Sequence, residues 1–435
     1  ISGTPSVIGG FDWWPDDSTQ RSVVFTSAGT LLKDTGSGTY SVTLKTGLSG
    51  SGMPVFVEGG KEAAINNRKL FIVNGIDPVQ VLSGDGITTT NLLAPPADWT
   101  GTNHPSTIAN HDNRMIMAGN KNDPHRVYYS SVADHETFTG ADTGTIAVYP
   151  GQGGIITGLL SFRGLIIVWK TKGVFVIDST DPNIANWRVK RISDAVGMLN
   201  PQSFAIIDND IIYQNANANL QTISATDEFG DVKGQHFSRN SNIVDYIREN
   251  FNLTRIGQNR MLYYPDKREL HIITSSKLST INNRRLIVDF LSDRPRFRVS
   301  TKDVTQSIWL KKDTNQIDRP VIGDAAGFVW DIDQATKSKD NSGYASIFVT
   351  EDLNLANQDP SLILRKKLGS FIELTHTPEG NHNLQISVFW DGVFEATYSF
   401  NMGAKGTALG SFILGNSALG GPRFINTRQP ITGSG

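Results

Sequence analysis

One unit recurs along most of this chain: an apolar β-rich run, a turn built from Gly, Asn or Asp, and a second apolar run. Residues 21–25, 69–73, 114–117, 164–169, 210–214, 261–264 and 320–322 supply the first runs. Residues 30–32, 79–82, 126–130, 174–177, 220–224, 269–273 and 328–332 supply the second. The turns include Asn74-Gly75, Lys172-Gly173 and Asp266-Lys267, and a polar insert over 120–125 takes that place in the third copy. Such a unit is a β-hairpin: a strand crosses a core, reverses at residues that tolerate positive φ, and crosses back. The anchors Phe25, Phe71, Ile116, Ile166, Ile211, Tyr263 and Val321 stand 45 to 58 residues apart. One strong hairpin every ~45 residues is the spacing of a β-propeller, whose blades are four-stranded sheets. The expected fold is all-β, with a propeller of about six to seven blades over residues 1–340. The hairpin is expected to supply each blade's inner strands, and the weaker segments between hairpins the outer ones.

Length agrees with this, because 435 residues are too many for one ordinary core. The 42 glycines suit many short strands joined by tight turns. Only residues 243–250 (IVDYIREN) carry a helical pattern, with apolar side chains at 243, 244 and 247. After residue 340 the pattern changes to strands that alternate, expected over 346–350, 370–374, 384–390, 393–400 and 411–414. Leu384, Ile386, Val388 and Trp390 share one face, and Asp391-Gly392 is a two-residue hairpin turn. Residues 341–435 are therefore expected to form a small antiparallel β-sandwich or platform domain, with a trailing strand over 426–435.

Charge and cysteine content restrict the function classes. The 40 Lys+Arg nearly cancel the 42 Asp+Glu, whereas tight nucleic-acid binders carry a basic excess that neutralises phosphates. High-affinity DNA binding is thus disfavoured, while passive contact with DNA is compatible. With no Cys, disulfides, thiolate metal sites and Cys nucleophiles are impossible, which suits assembly in a reducing cytoplasm. No apolar run approaches the ~20 residues that span a bilayer as a helix, and no signal peptide is visible. The chain opens on Ile1 rather than Met, so a further N-terminal segment is expected ahead of it.

Few constellations suggest chemistry. Ser83-Gly84-Asp85-Gly86 approaches the Asp box of sialidase-type propellers, but Ile87 stands where Gly is required. His104, His111, His125 and His135 share a region without metal-ligand spacing and read as ordinary loop histidines. The acidic loop Asp178-Ser179-Thr180-Asp181 lacks the Gly and closing Glu of a calcium loop. Asp16-Asp17 beside Trp13-Trp14 has the elements of a sugar platform, although an anchor at a blade edge is the plainer reading. Gly151-Gln152-Gly153-Gly154 lacks the Lys-Ser/Thr of a phosphate loop and reads as a blade linker. No catalytic, cofactor or metal residues are assigned.

The basic stripes are more informative. Arg294, Arg296 and Arg298 alternate and so share one face of a strand, as do Arg188 and Lys190, followed by Arg191. Arg365-Lys366-Lys367 precedes another strand. Each stripe is either a solvated face or a charged seam to a neighbouring subunit, and Arg294, Arg296, Arg298, Arg365, Lys366 and Lys367 are the candidate subunit contacts. The polar inserts over 120–125 and 353–360 are longer than hairpin closure requires and are expected at such contacts too.

Three stretches resemble one family. The first runs from Val196-Gly197-Met198-Leu199-Asn200-Pro201-Gln202-Ser203-Phe204, through Asp208-Asn209-Asp210-Ile211-Ile212-Tyr213, to the segment from Leu220 to Asp231. The second covers residues 70–82, and the third passes from Lys366-Lys367-Leu368 into Phe371-Ile372-Glu373-Leu374. They are similar to the tail nozzle and packaged-DNA stabilisation proteins of short-tailed bacteriophages. The resemblance implies a virion structural protein assembled in the host cytoplasm. It implies a hexameric ring below portal and adaptor, with other tail proteins as neighbours and a central channel through which double-stranded DNA passes and is retained without sequence specificity. It implies no catalytic residues and no cofactor. It also implies a short segment ahead of the first blade, which leaves open how that blade closes. The alternative is a carbohydrate-active or carbohydrate-binding propeller, a depolymerase or lectin, and a host-encoded scaffold propeller is a third reading.

Overall fold

The computed structural model describes residues 5–332, apart from 37, 62–66, 85, 194–196, 227–230, 237–242, 292–295 and 301–304, together with the segments 371–376, 383–390, 393–401 and 425–430. The chain divides into two units, Ile1–Lys337 and Ser338–Gly435.

The first unit is a seven-bladed β-propeller. Each blade is an antiparallel meander of consecutive strands, over residues 7–45, 55–91, 107–147, 156–193, 204–236, 260–300 and 305–331. The first six blades have four strands, and three strands of the seventh are described. Packing between blades explains why the hairpins stand out in the sequence. In blade 4 the second and third strands, Leu165–Lys170 and Gly173–Asp178, pair with Trp169 opposite Val174. Ile166 and Val168 face blade 3, while Ile167 and Trp169 face blade 5. A strand buried on both faces is apolar at every position rather than at alternate ones.

The expected place of the hairpins needs correction. In six blades they form the middle two strands, not the inner ones. The inner strand is the first of each blade. The first strands of blades 7, 1, 2, 3 and 4 lie side by side around the axis, as do those of blades 5, 6 and 7. These strands are less uniformly apolar because one side meets the axis; that of blade 1, Val7–Trp13, reads VIGGFDW. The sixth hairpin differs: it joins the first and second strands of its blade, Arg260–Tyr264 and Glu269–Thr274. The helix expected over 243–250 is present as Ile243–Asn250 and lies between blades 5 and 6.

Blade 1 closes with four strands of its own and meets blade 7 directly. Ser307 Oγ donates to the Val7 carbonyl (2.7 Å), the Lys312 N–H to Asp12 Oδ2 (2.9 Å), and Gln20 Nε2 to the Lys312 carbonyl (2.7 Å). Gly10 belongs to this seam: a Cβ there would lie 2.6 Å from the Trp309 indole, so only glycine lets the two inner strands approach.

In the second unit Phe371–His376 pairs with Ile425–Pro430, and Asn383–Trp390 with Val393–Asn401. Leu384, Ile386 and Val388 lie on the more sheltered face while Gln385, Ser387 and Phe389 are exposed, as the alternation predicts. Trp390 pairs with Val393 across the Asp391-Gly392 connection. The strands expected over 346–350 and 411–414 lie outside the described residues.

Candidate functional site

Residues of five blades line an open cavity of about 460 Å³ on the propeller axis. Its wall carries Phe11, Phe56, Phe204 and Trp309, with Asp12, Lys312, Asp318 and Arg260 as its charged groups. Phe11 and Phe56 stack with ring centroids 5.9 Å apart. The charges are unequally engaged. Asp12 accepts from the Lys312 N–H, from Gln20 Nε2 (2.9 Å) and from Trp14 Nε1 (3.1 Å), although burial pushes its carboxyl above the usual range. Asp318 pairs with Lys312 at 3.2 Å. Arg260 is buried and donates through Nη1 to Gln202 Oε1 (2.6 Å), while its Nε has no hydrogen-bond partner.

The segment from Gly197 to Phe204 organises this region. Gln202 Nε2 donates across the axis to the Pro54 carbonyl, so the side chain ties blade 5 to blades 2 and 6. Buried Asn200 donates to Ser203 Oγ (2.6 Å) and to the Asn259 carbonyl (3.0 Å), and accepts from the Gln202 N–H (2.8 Å). These residues hold the connection into blade 5 against the start of blade 6, and their roles here are structural.

A second polar centre joins blades 3 and 4. Lys170 is fully buried, and its Nζ donates to the carbonyls of Val148, Tyr149 (3.0 Å) and Gln152 (2.9 Å). Its Nζ also lies 5.2 Å from the centre of the Phe175 ring. Burial pulls its pKa down to about 8. The Gly151-Gln152-Gly153-Gly154 linker curls so that its carbonyls receive this ammonium and the Lys172 N–H.

The groups singled out in the sequence are dispersed. Arg296 and Arg298 lie exposed on the outer strand of blade 6, Arg296–Ser300, whereas Arg294, Arg365, Lys366 and Lys367 lie outside the described residues, as does the insert over 353–360. Arg298 is engaged within its own blade, with Nη2 2.7 Å from Glu269 Oε1. His271 Nε2 lies 3.1 Å from the other oxygen of that carboxylate. Burial alone raises the Glu269 pKa, but His271 and Arg298 outweigh it and hold the carboxyl at about 2. Glu269→Gln is expected to destabilise the protein by about 2 kcal/mol, since a charged partner is lost from a buried network. The contribution of Glu269 is fully present above its ordinary pKa of 4.5 and is lost as pH falls through about 2. Acid unfolding curves of the variant should therefore be flatter than the wild type between those values.

The insert over 120–125 is built into the propeller: Asn120 is buried, and the Pro124 carbonyl accepts the Ile156 N–H. Arg188 and Lys190 are exposed, Lys190 pairing with Asp178 at 3.0 Å. Trp13 is buried in the core between blades, while Trp14 reaches the axial cavity. Among the described residues no three His, Asp or Glu side chains gather as metal ligands, and no helix is long and apolar enough to cross a membrane. Arg260, Gln202 and Lys170 are the polar residues that sequence reasoning missed. Lys170 had a signal, a lysine closing the uninterrupted apolar run Leu165-Ile166-Ile167-Val168-Trp169.

No family description matches the sequence, and no curated protein does. Solved structures with a similar backbone include the extracellular domain of a proposed one-component system from B. thetaiotaomicron (11% identity, TM-score 0.46, 75% of this chain and 38% of that one). Another is PorZ, a surface component of the type-IX secretion system of Porphyromonas gingivalis (12% identity, TM-score 0.41, 92% of this chain and 45% of that one). A third is BBS1N in complex with ARL6DN (10% identity, TM-score 0.47, 75% of this chain and 92% of that one). The chain thus spans less than half the length of the first two.

Proposed function

We propose that this chain is a non-enzymatic structural subunit of a short-tailed phage tail, a nozzle or head-to-tail stabilisation protein that forms a ring around passing DNA. The observation that supports an assembly role is an ordered apolar projection beside blades 5 and 6. Leu278 is 95% exposed, and Leu253 and Ile281 are also exposed. Their two segments are held together by backbone and side-chain hydrogen bonds: Lys277 N–H to the Asn250 carbonyl (2.9 Å), Asn252 N–H to the Ser275 carbonyl (2.9 Å) and Asn252 Nδ2 to the Ser279 carbonyl (2.9 Å). Apolar side chains held outward on a stiff support are suited to a neighbour's surface. The family resemblance of the segment around Gly197 to Phe204 gives that neighbour its identity, other copies and tail proteins. Duplex DNA is far wider than the axial cavity, and Gln202 crosses that axis, so the DNA channel in this reading lies between copies. A net charge of −2 fits a lumen that conducts phosphates without holding them.

The test is electron microscopy of the purified protein and of the parent particle, with wild type and a Leu278→Asp/Ile281→Asp variant. Wild type should appear as a six-fold ring. The variant should melt within about 0.5 kcal/mol of wild type, as expected for surface substitutions, and should be missing from particles. Particles that lack the protein, or that incorporate the variant normally, would defeat the reading.

A further inference from the structure

We propose that the axial cavity is a binding site for a small ring-bearing carboxylate, held by the Arg260 guanidinium against an aromatic wall. The inference does not depend on the tail reading. It starts from a charge without a counter-charge. Arg260 is only 6% exposed, and none of its bonds is to a carboxylate; its one hydrogen bond goes to the neutral amide oxygen of Gln202. A cation removed from water is ordinarily paired or bound to an anion. The acids that share the cavity are committed elsewhere, Asp318 to Lys312, and Asp12 to the Lys312 N–H across the blade 1–blade 7 seam and to Gln20 and Trp14 within its own blade. Burial without a nearby anion pulls the arginine below its ordinary pKa, the direction that a bound carboxylate would reverse.

The remaining wall defines the rest of the ligand. The Trp309 indole lines the cavity and is 5% exposed. Phe11 and Phe56 add a stacked aromatic surface. A volume of about 460 Å³ falls within the range of small-molecule sites and exceeds what an inorganic anion fills. Guanidinium groups match the two oxygens of a carboxylate, and aromatic faces suit a flat or pyranose ring. An aromatic acid and an acidic sugar share this chemistry.

Titration calorimetry and tryptophan fluorescence of the full chain with benzoate, glucuronate, benzyl alcohol, glucose and phosphate test the proposal. At least one of the two carboxylates should bind at one site per chain, roughly tenfold or more tighter than its neutral analogue. Preference for benzoate assigns an aromatic acid, and preference for glucuronate assigns an acidic sugar. Arg260→Met should lose this binding while the unliganded protein still folds, because removal of a buried charge without a carboxylate partner offsets loss of the bond to Gln202. Arg260→Lys, which keeps the charge but not the fork, should bind roughly tenfold more weakly and serves if the methionine variant does not fold. Absence of binding by both carboxylates overturns the proposal. So does phosphate binding as tightly as either, or undiminished binding by the arginine variants.

Discussion

Lys170→Met is expected to lower the stability of the propeller by about 3 kcal/mol, because the carbonyls of Val148, Tyr149 and Gln152 lose the donor they share, the first of them in a fully buried position. Methionine matches the lysine stem in length, so the change isolates the ammonium from the packing. Urea unfolding read by tryptophan fluorescence would check it, and an unchanged midpoint would show that the carbonyls find other donors. The same residue gives a pH signature. Its native pKa is near 8 against an ordinary 10.5. Between those values the unfolded chain keeps a proton that the native protein has released, so stability rises with pH across the window. Below about 8 the lysine is charged in both states and contributes no slope. Wild type should therefore grow more resistant to urea from pH 8 towards 10.5, and Lys170→Met should lack that climb.

Gly197→Ala is expected to be more damaging still. A Cβ at this position would lie 1.7 Å from the Lys170 carbonyl oxygen and within 2.8 Å of the backbone of Gly173. All of these atoms are main chain, so no side chain can swing away. Relief requires the connection between blades 4 and 5 to separate, which breaks the bond from the Met198 N–H to the Lys170 carbonyl (3.0 Å) and that from the Ala216 N–H to the Gly197 carbonyl (3.0 Å). The loss should be on the order of 4 kcal/mol or more, in the range reached only when a close-packed joint is forced open. Gly164→Ala is the control. Gly164 has φ 72° but nothing within 4 Å of a new Cβ, so only the backbone term of roughly 1–2 kcal/mol applies. Equal effects of the two substitutions would show that the joint yields.

The fold was legible in this sequence where burial is two-sided. Leu165-Ile166-Ile167-Val168-Trp169 is apolar at every position because each face meets another blade, and the period of such runs gave the propeller. The inner strands were not legible as such. Phe11 and Phe56 face the axis beside Asp12, and a strand that mixes glycine, acid and aromatic residues shows neither a continuous run nor a clean alternation. The sixth hairpin stands at the start of its blade rather than in the middle, because Arg260–Tyr264 is as apolar as the strand that follows it. The axial site was opaque for a different reason. Arg260, Gln202 and Pro54 come from separate blades, and no local spacing announces contacts between residues up to 148 positions apart. The basic stripe on blade 6 was visible, but Arg298 looked outward-facing while its guanidinium reaches back to Glu269.

The seam between blades 1 and 7 has a kinetic consequence. Within a blade, each strand pairs with the next along the chain, so contacts form over short loops and can assemble early. The bonds from Ser307 to Val7 and from Lys312 to Asp12 instead join residues 300 positions apart. Among the described residues no strand is exchanged between these two blades. The circle is thus fastened last, by these hydrogen bonds, the fit of Trp309 against Gly10 and an apolar core in which Val7, Val24 and Leu32 meet Trp309 and Val321, after the entropy of a very long loop has been overcome. It is also where the circle should part first. Amide hydrogens at Val7–Trp13 and Thr305–Lys312 should exchange faster than those of the middle strands of blade 4, and the molecule would then behave as a split washer rather than a closed disc.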